Sequence, residues 1–88
     1  MDSANRRGVD VVFFASLRED VGIDRLERVP AASIAELLVA LKPRLSREAL
    51  SALSAENVKI AVNHQLIEGD TALACGDEVA FLPPVTGG

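Results

Sequence analysis

The chain closes on "FLPPVTGG", and the carboxylate of Gly88 is the reactive group that stands out along it. Competitors are few. His64 is the only histidine and sits beside Asn63 in an apparent turn, which reads as an exposed turn residue. Cys75 is the only cysteine and has no basic neighbour in sequence to activate it, so it reads as an inert small hydrophobe. The 13 acidic residues are scattered over turns and helix ends, and no two are placed for acid–base work. Metal-ligand spacings of Cys and His are absent, as are glycine-rich phosphate loops. A bare carboxylate is a poor electrophile, but joined to AMP as an acyl-adenylate it is readily attacked by sulfur or nitrogen nucleophiles. The chain has no equipment to make that anhydride, so another enzyme must make it.

The residues before Gly88 suit delivery of such a group. Pro83 and Pro84 hold the start of the tail extended, and Leu82 and Pro83, each preceding a proline, are biased away from helix. Val85 and Thr86 follow, and Gly87 and Gly88 carry no Cβ, which lets a cleft close on the backbone. The six residues from Pro83 to Gly88 reach about 18 to 20 Å when extended. A segment of this kind is expected to insert into another protein.

The rest of the chain must then position the tail. Eighty-eight residues make one small domain that buries about 60 to 65% of its unfolded surface, leaving little room for a deep internal cavity. Hydrophobic residues at 49% and charged residues at 25% are ordinary for a globular protein. A net charge of −4 repels phosphate backbones, and three phenylalanines with no Trp or Tyr leave little for base stacking, so nucleic acid is not an expected partner. No stretch approaches the roughly 20 apolar residues of a membrane span, and the N-terminus has no apolar signal core. With one cysteine and no internal disulfide, a cytoplasmic location is expected.

Residues 1–8, "MDSANRRG", are polar and aperiodic and read as a flexible leader, with a single domain over 9–82 and the tail over 83–88. "VDVVFFA", from Val9 to Ala15, is a β-branched and aromatic run suited to a central strand covered on both faces. "SLREDVG" breaks it as a longish loop, and "IDRLERV" resumes as a second, hairpin-paired strand. Ser33 and Glu36 form a capping box, and Ile34, Leu37, Leu38 and Leu41 then fall on one helical stripe that Pro43 stops. "LSREALSALSAEN" suggests a shorter second helical piece. "VKIAVN" alternates as a strand, Leu66–Ile67 is briefly extended, "TALACGD" reads as a turn or single helical twist, and "EVAFL" is the last strand. In that strand Val79 and Phe81 face one way and Ala80 and Leu82 the other.

The order β-β-α-β-β-β requires the helix to cross one face of a mixed sheet, and right-handed crossover leaves the compact answer with the last strand beside the first, in the middle. That α+β arrangement is a ubiquitin-like β-grasp, with the main helix across one face and the tail leaving from the centre of the sheet. Apolar residues on both faces of the central strands exceed what one helical layer covers. The outer face and rim around Phe14, Ala80 and Leu82 are therefore the expected partner interface.

With these features in place, "VVFFASLRE", "AVNHQLI" and "GDEVAFLPPVTGG" resemble the small, sulfur-carrying subunits of molybdopterin synthases, over about residues 9 to 88. The resemblance implies that Gly88 is adenylated by an ATP-using activating enzyme and converted to a thiocarboxylate by a sulfur donor. It also implies that Pro83 to Gly88 thread into the active site of a large subunit, where sulfur passes to cyclic pyranopterin monophosphate. A two-plus-two heterotetramer is implied, with no permanently bound cofactor or metal on this chain. Carriers for another thiolated metabolite of the thiamine type, and protein modifiers conjugated to lysine through the last glycine, share the same kind of ending.

Overall fold

The structure is a computed structural model, and it describes residues 8–83. Five strands form one mixed sheet: β1 (Val9–Phe13), β2 (Arg25–Val29), β3 (Lys59–Val62), β4 (Gln65–Ile67) and β5 (Glu78–Leu82), in the order β2-β1-β5-β3-β4. The expected β-grasp topology is present. β5 lies in the middle, parallel to β1 with Val11 opposite Val79, and antiparallel to β3 with Ala61 opposite Ala80. Among the described residues no helix is long and apolar enough to cross a membrane.

Three helices cover one face: α1 (Ala15–Val21), α2 (Ile34–Leu41) and α3 (Arg47–Leu53). Val9, Val11, Val79 and Phe81 of the sheet meet Leu17, Leu37, Leu41 and Leu53 of the helices in one core. Phe13 and Phe81 stack at its centre with ring centroids 5.8 Å apart. Pairing parallel neighbours in the middle requires crossovers, and the helices supply them while burying the sheet face they cross.

The first connection corrects the sequence reading. "SLREDVG" is not a loop between hairpin strands but α1, entered by a sharp turn in which Phe14 stays extended and Ala15 takes φ 50°. Leu17, buried among the core residues, pulls the segment into helix, and Gly22 ends it in the left-handed region with its N–H donating to the Arg18 carbonyl. β1 consequently stops at Phe13 instead of Ala15. Its outward residues Asp10 and Val12 are only half-buried, so the strand is covered on one face rather than both.

The capping box forms with one shift. Ser33 Oγ accepts from the Glu36 N–H at 3.2 Å, while Glu36 Oε1 accepts from the N–H of Ala32, one residue before the cap, at 3.0 Å. Of the four residues assigned to the α2 stripe, Ile34, Leu37 and Leu41 are buried, but Leu38 is exposed. The second helical piece is α3, capped by Ser46 Oγ, which accepts from the Ala49 N–H. "TALACGD" forms no helical twist; Ala72 bridges Ser33 and the rest turns into β5. Gly8, assigned from the sequence to the leader, is already part of the fold: at φ 91° a Cβ there would meet the Val29 carbonyl oxygen at 2.7 Å.

Candidate functional site: the outer sheet face and the exit of the last strand

Among the described residues, none forms a layer over the sheet face opposite the helices. Register sets a row across it: Leu66 on β4, Ala61 on β3, Ala80 on β5, Val12 on β1 and Arg25 on β2. A second row, nearer the end where β5 leaves the sheet, holds Lys59 opposite Leu82. Phe14 lies beside that row, because its N–H donates to the Phe81 carbonyl at 3.1 Å. Leu66 is 67% exposed and Phe14 44%, whereas Ala61 and Ala80 are 7% and 6%. Small residues at the centre and larger ones at the margin make a shallow apolar dish.

Each expected interface residue can now be placed. Phe14 stands at the rim and Leu82 is half-buried beside it. The side chain of Ala80 points outward, and its neighbours shield it, so it forms the floor of the dish. Leu66 was missed. The strand alternation of "QLI" carries its outward direction, but a three-residue strand gives too little pattern to fix it. Pro83 follows directly from Leu82 at the exit of β5; Pro84, Val85, Thr86, Gly87 and Gly88 lie outside the described residues.

The polar surroundings divide by pole. At the start of β5, Asp10 is opposite Glu78, Arg25 reaches Asp10 at 3.4 Å, and His64 Nε2 lies 3.8 Å from Glu78. Asn63 and His64 form the two-residue turn between β3 and β4 with φ of 51° and 72°. The Asn63 amide steadies that turn by donating to Asp77 Oδ1 at 3.1 Å and accepting from the Glu78 N–H at 3.0 Å. The Ala74 N–H, donating at 2.9 Å, and then the Asn63 amide hold the Asp77 carboxyl below the ordinary carboxylate range. At the exit pole, Arg18, Asp24 and Arg25 line a groove of about 200 Å³ beside Phe14.

His64 is an exposed turn residue, as expected. Cys75, read from the sequence as an inert small hydrophobe, is exposed in the turn before β5 instead of packed in the core. Among the described residues no three His, Cys, Asp or Glu side chains gather as a metal site. The arrangement can bind a complementary apolar surface and aim the end of β5 past it.

The model of the ThiS family matches residues 11–88. The chain is 42% identical over 83 residues to the molybdopterin synthase sulfur carrier subunit of Escherichia coli K12, covering 91% of this chain and 99% of that one. Among solved structures, subunits 1 and 2 of the molybdopterin-converting factor of Helicobacter pylori 26695, solved as a complex, include a match at TM-score 0.69. That match is 31% identical and covers 91% of this chain and 97% of the other. The small archaeal modifier protein 1 of Methanosarcina acetivorans matches at TM-score 0.72 and 28% identity, over 93% of this chain and 97% of that one.

Proposed function

The chain belongs to the ThiS family, and from that premise we propose that it is the sulfur carrier of a molybdopterin synthase. The observation that carries this reading is the position of β5. A central strand, pinned on both sides, runs out beside an apolar dish, and the family match continues past it to Gly88.

In this reading the Gly88 carboxylate attacks the α-phosphorus of ATP on a separate activating enzyme, releasing pyrophosphate and leaving a glycyl-adenylate. A donor of sulfide-level sulfur then attacks the glycyl carbonyl, the bond to AMP breaks, and a thiocarboxylate remains. The dish around Phe14, Leu66 and Leu82 docks on the large subunit, and the tail carries its sulfur to cyclic pyranopterin monophosphate there. Two rounds build the dithiolene, and hydrolysis of the acyl–sulfur bond returns the carboxylate each time. ATP is thus used by the partner and not held by this chain. A two-plus-two assembly in the cytoplasm completes the reading; a reducing compartment protects both a thiocarboxylate and the exposed Cys75 thiol.

A second reading, a protein modifier joined through Gly88 to lysine, draws on the likeness to the archaeal modifier protein. One experiment separates the two. The Cys75→Ser chain, incubated with activating enzyme, ATP and a sulfur source, gains an alkylatable group on the fragment ending at Gly88. Removing Gly88 or adding a residue after it abolishes both this label and dithiolene formation without changing the melting temperature. Recovery of Gly88 in an isopeptide bond to lysine establishes the modifier reading instead, and retained dithiolene formation by the truncated chain refutes the carrier.

A further inference from the structure

Helix α2 reads Ile-Ala-Glu-Leu-Leu-Val-Ala-Leu, with Glu36 its only polar residue. A helix that is apolar around its whole circumference belongs in an interior. Here Ile34, Leu37 and Leu41 are buried, yet Val39 is 62% exposed and Leu38 36%. At about 100° per residue, Val39 falls opposite the buried trio, with Ala35, Glu36 and Lys42 on the same outer surface. An open groove of about 410 Å³ runs along one side of the helix beside Pro30 and Ala40. Another of about 310 Å³ runs along the other side between Leu38 and Gly69. This surface lies on the helical layer, across the sheet from the dish that launches the tail.

The charges say what fits there. Glu36 and Lys42 stand three residues before and three residues after Val39. Among the described residues neither makes an ion pair within the chain. A two-fold axis through Val39 lays a second copy of the helix antiparallel to the first, setting Glu36 against Lys42 twice and Val39 against its counterpart. Ala35 and Ala40 keep the ridge low enough for close approach, and the two grooves receive the flanking side chains.

We propose that α2 is a self-association face, through which two copies of this chain pair back to back about Val39. A helix pair of this length covers about 400 Å² on each copy, roughly half of a standard stable interface, so the pairing is weak and concentration-dependent. It leaves both outer sheet faces and both β5 exits free. The inference is independent of the sulfur-carrier reading.

Sedimentation equilibrium and amide NMR on the full chain between about 10 μM and 1 mM test it, a range matched to weak association. Mass should rise toward twice the monomer, with shifts concentrated on Ala35, Leu38, Val39 and Lys42. Val39→Lys should weaken association at least about tenfold with unchanged melting, since the side chain is exposed. Glu36→Lys and Lys42→Glu should each associate poorly alone and pair when mixed, because the mixture restores both opposite-charge contacts. Melting curves of the two single variants show that each is folded before mixing. A monomer throughout the range overturns the proposal, as do shifts centred elsewhere or a mixture that fails to pair. Concentration-independent contacts from residues 1–7, or binding of the face only to a different protein, overturn it equally.

Discussion

The two faces of β5 are built from adjacent residues and carry opposite loads. Val79 and Phe81 point into the helical layer and are fully buried, whereas Ala80 and Leu82 point to a face that the described residues leave open. Hydrophobicity alone does not tell these faces apart. The inward one is filled by side chains of the helices, and the outward one is the face proposed above for docking. Stability and association should therefore be separable along a single strand.

The largest effect expected is on the inward face. Phe81→Ala removes the ring stacked on Phe13 and should cost about 3 to 5 kcal/mol, a large share of the stability of a small domain. Thermal or urea melting reads it, and binding should fail only as far as folding does. On the outward face the pattern should reverse. Leu66→Asp and Phe14→Asp should each weaken binding to the purified large subunit by about tenfold or more, with Leu66→Asp leaving the melting temperature within a degree or two. Equal binding by a well-folded Leu66→Asp chain would break the comparison.

Smaller effects sharpen it by testing elements away from both faces. Ser33→Ala removes the acceptor for the Glu36 N–H and should cost about 1 kcal/mol in melting while binding to the large subunit is unchanged. Asp77 should show the smallest effect and a pH signature. Its folded pKa lies below the ordinary 3.8, so its contribution is complete above that value and disappears as pH falls through the lower, folded one. Asp77→Ala should accordingly be less stable than the parent at neutral pH, by under about 1 kcal/mol for so solvated a group, and the gap should narrow progressively in melts taken as pH falls below 3.8.

The sequence made the topology legible because the burial it demands is periodic. Alternation in "EVAFL" and "VKIAV", and the i, i+3, i+7 spacing of Ile34, Leu37 and Leu41, each find the partner layer the pattern asks for. α1 was hidden because Leu17 is its one deeply buried residue and Gly22 reads equally as a turn or a helix stop. Leu38 and Leu66 were misplaced or missed because a short element leaves its boundary residues undetermined. Which side of Leu38 meets water depends on where α2 settles against the sheet. The floor position of Ala80 depends on its neighbours across three strands, which no local pattern encodes.

The parallel pairing of β1 and β5 also has a mechanical side. Because the two strands run the same way, Val9 and Leu82 sit at opposite ends of the shared ladder, and tension between the ends of the chain loads its rungs in shear. Rungs in shear give way together, whereas a hairpin pulled from its open end unzips one at a time. Force on the exit of β5, opposed at the N-terminal end of β1, thus acts in the direction that this ladder resists best. A tether or surface attachment at the N-terminal end would load the molecule along this same strong axis.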